Sequence, residues 1–266
     1  MKHNSSDGLP ARAGRAWSRE KLIYLKKYAS AFMVAMGPKR SEGRWERLVY
    51  IDLLAGQGRG IDPDTKQEFD GSPLIALSIQ PKFDHLFLAD DDPKKIEVLK
   101  ARIPPADRTR VTVSPGDCNK VVDQVIAAIH GGTLGLAFMD PEGFEVDFDT
   151  LAKLAKRRID LVYLFPDGIG WRRNLRQRED PLTARMDKSW GGEEWRKLAS
   201  ENIVPAFQQK MLNSGFKFQD EADSVLTNTK KSRMYHLLYF THDSAGLKIW
   251  NGIKQIEPSG QRKLLL

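Results

Sequence analysis

The residues best suited to chemistry lie in a glycine-spaced loop that directly follows a short apolar run. In the stretch 48–60, the run is rich in β-branched and aromatic residues, as is typical of a buried parallel strand. Gly56 and Gly58 follow it, and glycines permit positive φ and leave no side chain between the backbone N–H groups and a ligand. Asp52 lies inside the run, where a carboxylate is costly unless it is hydrogen-bonded or faces a site. The stretch therefore predicts a ligand-binding turn at the end of a strand.

Acidic residues recur where later predicted strands end. The second predicted strand, His85 to Ala89, runs into three consecutive aspartates, and the third, Arg110 to Val113, is also followed by an acid. One carboxylate can accept hydrogen bonds from both hydroxyls of a ribose, and an acid one strand further can accept from an adenine amino group. Because the carboxyl ends of parallel strands meet at one edge of a sheet, we expect these acids to converge. They are, strand by strand, Asp90 with Asp91 and Asp92, Asp117, Asp140 and Asp167.

The three consecutive aspartates also have a purely structural interpretation. Adjacent carboxylates repel one another, so some of them must face solvent or cap a helix. Asp92 precedes Pro93, which is typical of a helix N-cap followed by proline at the first helical position. We expect Asp92 to cap a helix from Pro93 to Arg102, which leaves Asp90 for a ribose. A cluster that serves only as a cap is the alternative.

Helical patterns alternate with these strands and would hold the strand ends in place. Trp17 to Met36 has an apolar face, with Ser18 as the expected N-cap and Gly37-Pro38 as the expected stop. Three lysines are expected on its solvated face, namely Lys21, Lys26 and Lys27. Strand and helix alternation at this spacing predicts an α/β fold, a Rossmann-like, doubly wound and mostly parallel sheet. The other predicted elements are a polar loop from Gly58 to Gly71, strands Leu134–Met139, Asp160–Phe165 and Met234–Phe240, and helices Pro73–Ile79, Val121–Ile129, Leu151–Arg157 and Ala245–Ile253.

The alternation breaks after the fifth strand, where residues of about 170–215 are predicted to form a helical insertion. Gly192 to Asn213 has a helical pattern that Pro205 should kink or split. The first part of the insertion interleaves an aromatic residue with arginines, in the order Trp171, Arg172, Arg173 and Arg176. Such a segment suits phosphates and stacked bases, and the alternative is a solvated helical face.

Composition limits the class of protein. The chain has 266 residues, 42 Lys and Arg against 35 Asp and Glu, and a formal net charge of +7. This balance favours a nucleic-acid partner about as much as it favours an ordinary basic enzyme. No run of 18 apolar residues exists, so we expect no membrane span. Cys118 is the single cysteine, which excludes an internal disulfide and fits a cytoplasmic location, and no metal-ligand spacing is present.

We expect one domain over residues 17–255. Residues 1–16 are polar and basic and are predicted to be disordered. Residues 256–266 are predicted to be a C-terminal tail that frays or packs on another subunit.

The sequence Asp52-Leu53-Leu54-Ala55-Gly56-Gln57-Gly58 resembles the first motif of class I S-adenosylmethionine (SAM)-dependent methyltransferases. The dinucleotide fingerprint G-x-G-x-x-G fits less well, because a turn at 61–64 stands where a helix should begin. The resemblance implies that SAM is the cofactor, with Asp90 and Asp91 at the ribose and Asp117 and Cys118 at the adenine. The methionine end would lie against Asp52, Leu53, Ala55, Gly56, Gly58 and Ser72.

The sequence Asp140-Pro141-Glu142-Gly143-Phe144 lies where amino-methyltransferases carry a D/N-P-P-Y/F motif. In that motif a carboxylate and a carbonyl accept hydrogen bonds from an NH2 group, and an aromatic ring stacks on a flipped base. Glu142 and Gly143 replace the second proline and the aromatic residue here, and Phe144 comes one place later. The resemblance implies Asp140 with Pro141 as the acceptor-orienting pair, Glu142 or Asp167 as a proton acceptor, and a substrate contact at Phe144.

Four segments together resemble the three-Cys-motif partner family of bacterial methyltransferase-like proteins, over about residues 17–255. They are Tyr50–Gly58, Gly71–Leu77, Asp140–Gly143 and Tyr235–Phe240. The resemblance implies a Rossmann-like fold and a partner protein with a three-cysteine motif. Two hypotheses follow from the sequence. The first is a SAM-dependent methyltransferase that acts on a nucleic acid or another polyanion. The second is a non-catalytic module that binds nucleic acid or protein through the same scaffold.

Overall fold

The computed structural model describes residues 3–14, 16–175, 181–220, 224–227 and 233–255. The strands of this part are β1 (His3–Asn4), β2 (Pro10–Ala13), β3 (Arg47–Asp52), β4 (Arg59–Ile61), β5 (Glu68–Asp70), β6 (His85–Asp90), β7 (Val111–Pro115), β8 (Thr133–Met139), β9 (Ile159–Phe165), β10 (Phe218–Gln219), β11 (Ser224–Thr227) and β12 (Arg233–Thr241). The helices are α1 (Ala16–Ser41), α2 (Ser72–Ser78), α3 (Pro93–Arg102), α4 (Cys118–Ala128), α5 (Phe148–Ala155), α6 (Arg172–Asn174), α7 (Leu182–Trp190), α8 (Ile203–Ser214) and α9 (Ser244–Lys254).

The central sheet has the strand order β10-β12-β9-β8-β3-β6-β7, with β11 also paired to β12. The five strands from β9 to β7 are parallel, and β12 is antiparallel to β9. The chain therefore leaves β3 toward β6 and β7, and then returns to the other side of β3 for β8 and β9. This reversal is the topological switch point, outside which ligands bind in open α/β sheets.

Helices cover both faces of the sheet, which confirms the doubly wound prediction. One apolar cluster packs α4, α5 and α8 on one face, and a second packs α1, α2 and α9 on the other. All seven residues of β9 are buried, as expected for a strand covered on both sides. Among the described residues, no helix is both long and apolar enough to cross a membrane.

Helix α1 continues to Ser41, past the stop predicted at Gly37-Pro38, and Ser18 lies inside it instead of capping it. Proline at position 38 cannot donate a backbone hydrogen bond to the carbonyl of Val34. Val34 is 63% exposed, so water can satisfy that carbonyl and the interruption costs little. A proline on the solvated side of a long helix does not have to end it.

Disorder is predicted for residues 1–16, but the described residues 3–14 of this segment include the strands β1 and β2, whereas residues 1, 2 and 15 lie outside the described part. Strands β1 and β2 join β4 and β5 in a small sheet of order β1-β2-β4-β5, which also replaces the polar loop predicted after Gly58. The segment 3–14 is anchored by Arg102, whose guanidinium binds Asp7 at 2.9 Å and the carbonyl of Gln57 at 2.6 Å. Hydrogen bonding to Arg102 holds the pKa of Asp7 well below its usual range. These partners are far apart in sequence, so composition could not reveal them.

In the described part of the insertion after β9, the α-helices are α6, α7 and α8, and only α8 overlaps the range Gly192 to Asn213 for which a single helix is predicted. Helix α7 ends at Trp190, and α8 begins at Ile203. Pro205 falls in the first turn of α8, where a backbone N–H has no partner within the helix. The kink or split predicted at Pro205 is therefore wrong, because α8 begins only at Ile203 and Pro205 lies in its first turn.

Candidate functional site

A cleft of about 650 Å³ opens at the carboxyl ends of β3, β6, β7 and β8. This is the switch point of the sheet, and the volume lies within the usual range for small-molecule sites. Predicted residues on its wall are Gly56, Asp90, Asp91, Asp117, Cys118, Asp140 and Glu142. Strand β2 supplies another side of the cleft through Pro10 to Ala13, a contribution that the sequence did not suggest.

The glycine loop after β3 forms one wall of the cleft. Gly56 and Gly58 have φ of +62° and +85°, a region that L side chains rarely adopt. A Cβ on Gly58 would lie 3.0 Å from the side chain of Leu99, whereas a Cβ on Gly56 would meet nothing within 4 Å. The loop is fixed on its other side, because Gly71 N–H donates to the carbonyl of Gly58 at 2.8 Å. The backbone at Gly56 is thus presented to open space, as a closely approaching ligand requires.

Asp90, the last residue of β6, is hydrogen-bonded to this loop. It is buried, and its carboxylate accepts hydrogen bonds from Gly56 N–H at 2.9 Å and Asp92 N–H at 3.0 Å. Lys95 Nζ lies 3.2 Å from the same carboxylate. Asp92 caps α3 by accepting from Lys94 N–H at 2.8 Å, which confirms that prediction. Asp90 therefore lies at the cleft with a cation beside it, while Asp91 is exposed on the same wall.

Asp52 and Leu53 lie beneath the loop instead of on the cleft wall. Asp52 is fully buried and accepts from Leu54 N–H at 3.2 Å, and Leu53 belongs to the apolar core. Burial raises the pKa of Asp52 to about 7, although hydrogen bonds from Ser72 and Leu54 oppose the shift. Asp52 and Leu53 therefore do not line the cleft, in contrast to the direct cofactor contact that the sequence predicts for them. Leu54, the next residue, lies on the cleft wall instead.

Asp117 and Cys118 border the cleft beyond β7. Asp117 caps α4 by accepting from Asn119 N–H at 2.9 Å and remains exposed. Burial raises the pKa of the Cys118 thiol to about 12, which disfavours the thiolate that nucleophilic chemistry needs. These positions suit hydrogen bonding and packing against a ring, and they do not suit covalent chemistry at Cys118.

Asp140 forms a buried ion pair with Lys21 of α1, a residue that the sequence placed on the solvated helix face. Burial lowers the pKa of Lys21 more than the neighbouring Asp140 carboxylate raises it. The spacing of Lys21 in the sequence could have predicted that it faces inward. It lies three residues after Ser18 and one before Leu22, and both of these are buried. These positions follow the i, i+3, i+4 pattern of the core-facing side of a helix.

Glu142 closes the mouth of the cleft. It is exposed and pairs with Arg12 of β2 at 2.9 Å, and its carbonyl accepts from the Tyr235 hydroxyl at 3.4 Å. Pro141, by contrast, is buried. Exposed ion pairs of this kind contribute little to stability, so the Arg12–Glu142 contact can open for a ligand.

Asp167, predicted as a proton acceptor, does not lie at the cleft. Its side chain is fully buried and binds Arg172 Nε at 2.8 Å and His236 Nε2 at 2.9 Å. Burial opposes ionisation of Asp167, but hydrogen bonds from His236 and Arg172 outweigh it and lower the pKa. The role predicted for Asp167 is therefore corrected to an internal ion pair that fixes the start of the insertion.

The predicted aromatic substrate contacts are also corrected, because their rings lie in the core. Trp171 is fully buried, stacks on Phe165 at 5.9 Å and meets the edge of Phe144 at 5.0 Å. Arg172 turns inward to Asp167, Arg173 is exposed, and Arg176 lies outside the described residues. Phe144 and Trp171 therefore offer no exposed ring to a nucleic acid, and Arg172 uses its Nε for Asp167.

The chain thus has the fold class of a Rossmann-like α/β protein, with a ligand-sized cleft at the switch point. No family model matches the sequence, and no curated protein matches it. Its fold is similar to the crystal structure of protein LPL1258 from Legionella pneumophila, described by the family model DUF519. That match has 15% identity, covers 95% of this chain and 96% of the other, and has a TM-score of 0.53.

Two O-methyltransferase structures resemble the chain more distantly. The first, from Bacillus cereus and in complex with SAH, has 11% identity, covers 89% of this chain and 86% of the other, and has a TM-score of 0.48. The second, a putative O-methyltransferase from Klebsiella pneumoniae, has 13% identity, covers 89% and 84%, and has a TM-score of 0.48. At these identities the likeness concerns the fold alone.

Proposed function

We propose that the protein is a SAM-dependent methyltransferase. The observation that carries this proposal is the contact between Gly56 and Asp90, which joins a bare backbone loop to a buried acid at the wall of the switch-point cleft. A nucleoside ligand needs both features, a side-chain-free approach and an acceptor for its ribose hydroxyls. When bound, SAM supplies a methyl group activated by its sulfonium.

The residues of the cleft suit the three parts of this cofactor. Gly56, Gly58 and Ser72 line the methionine end, and Asp90 with Asp91 receives the ribose. The adenine lies toward Asp117 and Cys118. Asp140 borders both the methionine end and the side from which an acceptor approaches, since it lines the main cleft and its smaller branch.

We infer further that the methyl acceptor is a nucleic acid or another polyanion. The formal net charge of +7 supports this substrate class, as does Arg12 at the cleft mouth. The resemblance to the three-Cys-motif partner family extends the proposal to a partner protein with a three-cysteine motif. Because methyl transfer needs mainly alignment and an unprotonated nucleophile, few further catalytic groups are required.

A second candidate function is a non-catalytic module that binds nucleic acid or protein. It is favoured by the burial of Phe144 against Trp171, which leaves no aromatic ring at that position for stacking on a flipped base. Incubation with methyl-labelled SAM and total nucleic acid separates the two. Transferred label that disappears in Asp140→Ala supports the enzyme, whereas SAM binding without transfer supports the module.

Titration calorimetry with SAM tests the cofactor assignment. We expect Asp90→Ala to weaken SAM binding at least about tenfold, because the ribose loses a charged acceptor and the loop loses its anchor. Asp123→Ala, at an exposed acid on α4, is the matched control and should bind like the wild type. Absence of SAM binding at millimolar ligand would remove the proposed function. Unchanged affinity in Asp90→Ala would remove only the ribose assignment.

A further inference from the structure

The Lys21–Asp140 ion pair stands on the wall of a cavity. The cavity adjoins the main cleft and is called its branch below; it is about 70 Å³ in volume, and Gly56, Gly58 and Ser72 also line it. The branch and the main cleft share Leu54, Gly56 and Asp140 as wall residues, so one ligand can occupy both. A buried cation and a partly exposed anion are therefore adjacent at the end of the cleft that lies against the glycine loop.

A purely structural role explains this pair poorly. Moving two ions out of water costs several kcal/mol each, and apolar residues of similar volume often stabilise a fold as well as a buried pair does. Helix α1 is already fixed to the sheet by Leu25, Tyr28 and Ala29, which are fully buried. Asp140 keeps 14% of its side chain exposed and lines both cavities, so it can reach a ligand there.

The neighbouring cations of the branch have other partners. Arg12 binds Glu142 at the mouth, and Arg59 binds Asp7 at 3.2 Å in the small N-terminal sheet. Lys21, by contrast, is paired with an acid that itself borders the cavity. The local charge pattern at this end of the cleft is thus one ammonium beside one carboxylate.

We propose that Lys21 and Asp140 bind the α-amino-acid end of the cofactor. Lys21 binds the ligand carboxylate and Asp140 binds the ligand ammonium. Each side chain thereby replaces part of its contact with the other by a contact with the opposite charge on the ligand. The site is neutral before and after binding, and no charge is left unpaired. The inference rests on the proposed function, and it makes Asp140 a cofactor-binding residue in addition to a neighbour of the acceptor.

Calorimetry on the full chain with two ligands tests this assignment. S-adenosylhomocysteine (SAH) carries the amino-acid end, and 5′-methylthioadenosine is the same thioether nucleoside without it. We expect Lys21→Met to lower the affinity for SAH at least about tenfold. The affinity for 5′-methylthioadenosine should stay within about twofold of the wild-type value. Lys26→Met, at an exposed lysine of the same helix, is the control and should change neither affinity.

The double variant Lys21→Met/Asp140→Leu keeps the test decisive if the single variant does not fold, since it leaves no unpaired buried charge. It should show the same selective loss of SAH affinity. Equal losses for both ligands, or unchanged SAH affinity, would overturn the inference while leaving the proposed function in place. Failure of the wild type to bind either ligand would overturn both.

Discussion

Two halves of the same sheet edge carry acids at their strand ends, yet only one half forms an open cleft. At the end of β6, Asp90 accepts from the backbone of the glycine loop and lies on the cleft wall. At the end of β9, Asp167 is sealed beneath the insertion and is bound by Arg172 and His236. An acid after a parallel strand is thus compatible with a ligand site and with an internal ion pair.

The residues that surround each acid decide between these outcomes. Beside Asp90, Gly56 and Gly58 add no side chains, and the space above Gly56 stays open. Trp171 follows Asp167 closely in the chain. Its ring centroid lies 5.3 Å from that of Trp190 and 5.5 Å from that of Trp195. We name the half around β3, β6 and β7 the cofactor half and the half around β9 the aromatic half. Glycine leaves a cavity, whereas large aromatic residues fill one.

The largest expected effect is the replacement of Trp171 by alanine in the aromatic half. Trp171→Ala removes a fully buried indole, and tryptophan-to-alanine changes in cores cost about 3–5 kcal/mol of unfolding free energy. Urea unfolding measures this loss. Calorimetry below the unfolding midpoint should find SAM affinity unchanged, because Trp171 does not line the cleft.

Trp45→Ala is the control for this variant, because Trp45 is only partly buried and lies outside the Trp171 cluster. Trp45→Ala should lower the free energy of unfolding clearly less than Trp171→Ala does. A Trp171→Ala protein of normal stability that loses nucleic-acid binding would show that the ring faces a ligand, and the division between the two halves would be wrong.

A smaller effect is expected from the pH dependence of Asp52 in the cofactor half. Burial raises the pKa of Asp52 to about 7 in the folded protein, whereas an aspartate in an unfolded chain titrates near pH ~4. The folded state therefore binds this proton more tightly. Its contribution is fully present below about pH 4, and stability falls as the pH rises to about 7, by roughly 2–4 kcal/mol.

Urea unfolding across this pH window checks the assignment of Asp52. Asp52→Asn should remove most of the decline between about pH 6 and pH 7. Asp160→Asn is the matched comparison, because burial raises the pKa of Asp160 to about 6 at the opposite end of the sheet. That variant should flatten the curve only below about pH 6. An Asp52→Asn protein whose stability declines between about pH 6 and pH 7 as steeply as that of the wild type would contradict the assignment of Asp52.

Sequence patterns predicted the parts of the molecule that depend on local chemistry. The cap at Asp92, the bounds Pro93–Arg102 of α3 and the parallel strands up to β9 follow from capping, proline placement and apolar runs. Sequence patterns failed where a residue distant in the chain decides whether a side chain is buried or a segment is ordered. Lys21 is buried because Asp140 meets it, and residues 3–14 are ordered partly because Arg102 binds Asp7.

The predicted substrate contacts failed for a related reason. A tryptophan among arginines has the composition of a nucleic-acid-binding segment and also of a core residue flanked by surface charges. Only the packing of Trp171 against β9 and α7 separates these interpretations, and packing is a long-range property. Arg172 and Arg173 illustrate the same point. A charge count does not distinguish them, yet Arg172 binds Asp167 and Arg173 is exposed.

The smallest expected effect on stability concerns Arg173, the exposed member of the predicted substrate contacts. Arg173→Ala should change the unfolding free energy by less than about 0.5 kcal/mol, as exposed substitutions usually do. If this side chain contacts a phosphate, affinity for a short single-stranded RNA should fall and its salt slope should decrease by about one. Fluorescence anisotropy at several salt concentrations measures both quantities.

Arg172→Ala is the comparison that gives this small effect its meaning. It leaves the fully buried Asp167 without its guanidinium, so it should destabilise the fold by a few kcal/mol. Two adjacent arginines would then act on different properties, one on folding and the other on association. RNA affinity and salt slope that stay the same in Arg173→Ala would mean that the aromatic half contributes no phosphate contact at this position.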